Sequence, residues 1–341
     1  MSILAGSQPF VRAGSPTPSW RSELRDAVRD PHELCRRLDL PATLADAAAS
    51  GAGQFPVFVP PHYLSLIRRS DPQDPLLRQV LPVDSEKTPV EGFTYNPVDE
   101  EAAMLQGGVL RKYAGRVLLV TTGACAVHCR YCFRRHFPYE EITHSDAAWD
   151  QVLDAIAADD SLGEVILSGG DPLTMTDERL ARLVGKIAIV PHVTRLRVHT
   201  RLPVMVPSRI TDELIHWLTD TRLTPIVVIH ANHAEELDDR VADGLSRLAE
   251  MRVMLLNQAV LLRGVNDSVD ALTNLSQRLV EVGVVPYYLH QLDRVAGAAH
   301  FEVPVDEGQQ LLQKLRAKLP GYMIPKYVQE IPGEPSKTLL G

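Results

Sequence analysis

A chain of 341 residues, 45% hydrophobic and 23% charged, has the composition of a globular protein and is long enough to bury a core without disulfide or metal staples. Its 43 acids against 35 lysines and arginines give a net charge of -8, the wrong sign for a general nucleic-acid binder. No window approaches about 18 uninterrupted apolar residues, and the first thirty residues show no cationic start followed by an apolar block; no membrane span or signal peptide is expected, and the expected location is cytoplasmic.

Over 1–110, short helical patterns alternate with turn signals such as Pro56, Pro60, Pro72, Pro75 and Pro82, which predicts a helical, loop-rich appendage. Over 111–341 the texture changes to apolar, β-branched runs alternating with amphipathic segments, the pattern of repeated βα units. Strands are predicted at 116–122, 164–168, 195–200, 225–230, 252–258 and 286–290, and helices near 145–158, 176–188, 211–220, 234–250, 268–282 and 305–318. Six units fall short of the roughly eight of a closed barrel. The expected fold is therefore α/β, a partial, open βα barrel of about six parallel strands with an N-terminal helical appendage; the same alternation admits a doubly wound sheet. Each predicted strand runs into a polar cluster, among them Ser168 to Asp171, His199 to Arg201, His230 with Asn232, Gln258, and His290 to Asp293. Barrel enzymes build active sites at the C-terminal ends of their strands, which favours the barrel.

Cys125, Cys129 and Cys132 fall within eight residues on the loop after the first predicted strand, while Cys35 lies in a helical pattern and reads as a core thiol. Such clustering in a reducing compartment favours metal ligation over disulfides. A zinc site would take His128 or His136 as fourth ligand. A [4Fe-4S] cluster with three thiolates would leave one iron open to an external ligand.

The spacing Cys125-x3-Cys129-x2-Cys132, with Tyr131 before the last cysteine, resembles the radical S-adenosylmethionine superfamily. That resemblance implies that S-adenosylmethionine chelates the open iron and yields a 5′-deoxyadenosyl radical on reduction, with the segment Ser168, Gly169, Gly170, Asp171 binding its methionine moiety. The run from Phe133 to Phe137, that from Asn257 to Asp267, that from Tyr287 to Phe301, and the terminal Pro332-Gly333-Glu334-Pro335-Ser336-Lys337 together resemble the lysine 2,3-aminomutase family from about residue 20 onward. Within it they resemble the branch that supplies (R)-β-lysine for modifying elongation factor P. The resemblance implies pyridoxal 5′-phosphate held covalently on Lys337, its phosphate met by Arg116 and Lys112, where the free-lysine enzymes have arginine for Lys112. It implies that Arg134 grips the substrate carboxylate and that Asp293 and Glu330 hold the substrate ε-ammonium, with Glu330 standing for an aspartate. It also implies that His230 and Gln258 lie around S-adenosylmethionine. The implied partners are L-lysine, an electron donor such as flavodoxin or ferredoxin, and a pathway link to elongation factor P and its lysyl ligase. A radical enzyme without pyridoxal, acting on a nucleic-acid lesion, is disfavoured by the acidic balance and Lys337. Ending four residues after Lys337 also matches the compact elongation-factor branch.

Overall fold

The computed structural model describes residues 19–53, 55–105, 108–142 and 146–341; the first eighteen residues of the expected appendage and residue 145 of the expected helix lie outside them. The appendage carries α1 (Trp20–Arg25), α2 (Pro31–Arg37), α3 (Ala42–Ala52), α4 (Pro61–Leu66) and α5 (Pro75–Arg78). Proline at the first turn of α2, α4 and α5 starts these short helices where its missing N–H costs nothing. Strands β1 (Met104–Leu105) and β2 (Val109–Leu110) lead into β3 (Arg116–Thr122), β4 (Glu164–Gly169), β5 (Arg195–Thr200), β6 (Thr224–Ile229), β7 (Met254–Val260), β8 (Val285–His290), β9 (Lys326–Gln329) and β10 (Thr338–Leu339).

All ten strands form one sheet in chain order, with β3 to β9 parallel and β1, β2 and β10 antiparallel at the margins. Among the described residues the two margins are not paired with each other, so the barrel is open. The six predicted strands are all present. A seventh parallel strand, β9, extends them: its four residues follow Pro325 and are too few to announce a period.

Helices α6 (Asp146–Ala157), α7 (Asp177–Ile189), α9 (Asp212–Thr219), α10 (Asp239–Glu250), α11 (Val269–Glu281) and α12 (Val305–Lys318) alternate with the strands, and the one-turn α8 (Leu202–Met205) follows β5. Thr176, Thr211, Asp238 and Ser268 cap α7, α9, α10 and α11 by accepting a first-turn N–H, each worth about 1 kcal/mol. Leu180, Leu183, Val184 and Ile187 give α7 a buried stripe at helical spacing. On the sheet, Leu119, Leu167 and Val198 stand side by side and join the core under the helices, whereas their chain neighbours Leu118, Ile166 and Arg197 line the interior cavity. The two-residue period of a strand produces that division. One apolar cluster runs from Trp20, Cys35 and Tyr63 of the appendage to Leu289 and Tyr327 of the barrel, so the appendage packs as part of the same core.

Candidate active site

A cavity of about 610 Å³ lies at the C-terminal ends of the strands. Every site residue anticipated from the sequence lines it: the three cysteines, Ser168 to Asp171, His230, Gln258, Lys112, Arg116, Arg134, Asp293, Glu330 and Lys337.

The cysteine loop leaves β3 and is tied to the end of β4 by two backbone bonds, Gly170 N–H to Thr122 O and Asp171 N–H to Ala124 O, both 2.7 Å. A Cβ on Gly170 would stand 2.3 Å from Ala124 O, and Gly169 sits at φ +121° with its Cβ position 2.6 Å from Thr122 O. The paired glycines therefore let the end of β4 lie against the backbone of the cysteine loop. Asp171 is likewise an internal anchor: its carboxylate accepts from Thr200 Oγ1 (2.8 Å), Leu173 N (3.0 Å), Arg201 N (2.7 Å) and Leu202 N (3.0 Å). Those bonds fasten the end of β4 to the end of β5 and occupy both oxygens.

The three thiols lie close to one another, where their ionised forms oppose each other. Burial, then the charges of Cys132 and Asp171, raises Cys125; burial and the charge of Cys129 push Cys132 up to about 12. Iron would remove that opposition by binding each sulfur as thiolate. The histidines of the zinc alternative are engaged elsewhere. His128 stacks on Phe55 and bonds Pro56 O at 2.7 Å, and His136 meets Tyr95 and bonds Ala296 O at 3.1 Å. Among the described residues no three His, Cys, Asp or Glu are grouped as a single ion needs. The three sulfurs of a cubane bind three different irons, so the donor set fits the cluster.

Gln258 Nε2 donates to His230 Nε2 at 2.5 Å, which fixes His230 as a neutral acceptor. Burial, with Arg201 and Arg134 nearby, lowers His230 to about 3. Glu330, also in the cavity lining, carries two cations: it pairs with Lys337, and Lys112 Nζ donates to it at 3.1 Å. Burial works against the Glu330 charge, but Lys337 and Lys112 hold it down at about 2, with the Tyr113 hydroxyl donating as well. Asp293 is pushed by burial up to about 7, opposed by Lys337 and assisted by Glu330. Arg116 lies over the Tyr113 ring, 4.7 Å from its centre.

Arg134 is more committed than the sequence suggested. It donates Nε and Nη2 to Glu100, both at 2.7 Å, and Nη1 to Ser168 Oγ (3.1 Å) and Gly169 O (3.2 Å). Glu100 was invisible beforehand, because an acid in an irregular stretch carries no periodic signal. So was Gln79 at the end of α5, which reaches Arg201 at the end of β5.

Residues 119–275 match the Radical SAM superfamily model. With three cysteines on the loop after the first parallel strand of an open βα barrel, this defines a radical S-adenosylmethionine enzyme, whose class uses a [4Fe-4S] cluster and S-adenosylmethionine. The chain is 44% identical to an L-lysine 2,3-aminomutase of Haemophilus influenzae, covering 97% of each protein, and 44% identical to one of Escherichia coli, covering 95% of this chain and 96% of that one. A glutamate 2,3-aminomutase of Clostridioides difficile is 32% identical, over 94% of this chain and 76% of the relative. The chain belongs to the L-lysine 2,3-aminomutase family, an isomerase family. Among the described residues no helix is long and apolar enough to cross a membrane.

Proposed function

We propose that the enzyme converts L-α-lysine to (R)-β-lysine by a 2,3-amino shift, using pyridoxal 5′-phosphate on Lys337, and that the product serves the modification of elongation factor P through its lysyl ligase. A small electron donor such as flavodoxin or ferredoxin would reduce the cluster, and the reaction would take place in the cytoplasm. The observation that carries the substrate is the pair Asp293 and Glu330 lining the cavity with Lys337. Two carboxylates favour a substrate ending in an ammonium and oppose one ending in a carboxylate, which separates lysine from the glutamate handled by the relative.

The chain's own groups divide the work. Cys125, Cys129 and Cys132 hold the cluster; Ser168 and the backbone of Gly169 and Gly170, with His230 and Gln258, border S-adenosylmethionine. Arg116 and Lys112 offer cations to a phosphate, Arg116 as a planar fork and Lys112 as a point charge. The Lys337 ammonium on Glu330 stands where the substrate ε-ammonium would pair, so releasing Lys337 frees the acceptor the substrate needs. Arg134 keeps one Nη2 N–H beyond its bonds to Glu100, Ser168 and Gly169, and offers that one to the substrate carboxylate. When bound, the cofactors would supply a carbon-centred radical able to remove and return hydrogen, and an imine through which the substrate nitrogen could pass from C2 to C3. The protein aligns C3 of the substrate with that radical and keeps water away, since misplacement by about 1 Å can cost roughly 100-fold.

Anaerobic protein should contain iron and sulfide with broad absorption near 400 nm, and a pyridoxal band that disappears in Lys337→Ala. Incubation with dithionite, S-adenosylmethionine and, in separate arms, lysine, glutamate and lysyl-elongation factor P should give β-lysine from a lysine arm. Turnover of glutamate alone, or stoichiometric zinc without pyridoxal, would overturn the reading.

A further inference from the structure

We propose that Arg201 is a positioning residue that sets the reduction potential of the cluster through Cys129, held in place by Glu236 and by Gln79 of the appendage. Arg201 is 6% exposed, and its Nη1 donates to Cys129 Sγ at 2.8 Å. Nη2 donates to Gln79 Oε1 at 2.7 Å and to Glu236 Oε2 at 2.9 Å. The guanidinium also sits near the faces of Tyr63 and Tyr131, 5.7 and 5.6 Å from the ring centres. Its Nε is buried with no hydrogen-bond partner among the described residues.

The partners are fixed in turn. Glu236 is fully buried, and its Oε1 accepts from Gln79 Nε2, Asn232 N and His233 N at 2.9, 2.9 and 3.0 Å. Asn232 Nδ2 donates to Gln79 Oε1 at 2.9 Å and to the Tyr131 hydroxyl at 2.6 Å. A network built only to fill space would be replaced at little cost by apolar side chains, because burying two charges is expensive. This one delivers a permanent cation to one sulfur of the cysteine triad.

Reduction of the cluster adds one electron to the iron and sulfur framework. A fixed positive charge and an N–H on a ligand sulfur stabilise the more negative state more than the oxidised one, so they raise the potential. The same electron, supplied by a reductant such as dithionite, meets a less favourable site when Arg201 is gone. This inference rests on the cluster alone and is independent of the substrate.

The test is the midpoint potential of the reconstituted full-length enzyme without S-adenosylmethionine, followed by EPR, with iron and sulfide content measured on the same samples. Arg201→Met should retain four irons and lower the equilibrium constant for reduction about tenfold, which is about 59 mV for one electron. Arg201→Lys, which keeps the charge, should recover most of that change. Arg201→Met at the wild-type potential, or Arg201→Lys shifted as far as Arg201→Met, would overturn the proposal. If Arg201→Met fails to take up iron, Glu236→Gln decides: removing the counter-charge should raise the potential, and an unchanged or lowered value sinks the idea.

Discussion

Glu100 closes on Arg134 as a two-pronged pair, with both N–H to O distances at 2.7 Å and both residues buried. The guanidinium that the family resemblance assigns to the substrate carboxylate thus already holds one from its own chain. Removing Glu100's charge leaves a buried cation without its counter-ion, so Glu100→Gln should destabilise the fold by about 3 kcal/mol. Urea denaturation of the two proteins at neutral pH measures it; equal midpoints would mean that solvent reaches Arg134.

Glu330 behaves differently because its partners are lysines. Its carboxyl is held at about 2, below the ordinary 4.5 of the unfolded chain, so its stabilising contribution is complete above 4.5 and is lost as pH falls toward 2. That contribution is on the order of 3 kcal/mol. Chemical denaturation between pH 5 and 3 should show a shallower loss of stability in Glu330→Gln than in the wild type.

Asp293 titrates in the opposite sense. Burial raises it from 3.8 to about 7, so the folded state binds its proton more tightly and this group's contribution falls as pH rises across that window. In its proposed role Asp293 must be ionised to hold the substrate ammonium. The KM for lysine should therefore fall as pH rises through about 7, and Asp293→Asn should flatten that dependence while raising KM throughout; a wild-type KM independent of pH would contradict it.

Gly170 tests how the cluster loop is supported. A methyl group there would meet Ala124 O at 2.3 Å, a backbone atom of the loop that carries the cysteines. Gly170→Ala should push that loop away, giving well under four irons per chain after reconstitution while circular dichroism stays close to wild type. A full complement of iron would show that the loop yields without cost.

The six predicted strands were legible because buried parallel strands read as continuous apolar runs, such as Val165 to Leu167. The cysteine triad was legible because its ligands share one loop. Gly170 was half legible: the resemblance marked its segment as part of the site, but only the fold identified Ala124 as the backbone it lies against.

What the sequence determined by itself is therefore whatever is encoded within a few residues or one βα period: the alternation, the polar strand ends and the triad. What only the tertiary structure decided is which charges meet. Glu100 lies 34 residues from Arg134, Gln79 lies 122 from Arg201, and Lys112 lies 218 from Glu330. No local propensity couples such positions. They come together because the open barrel points every strand end at one cavity, where the cost of burying a charge requires each one to find a partner.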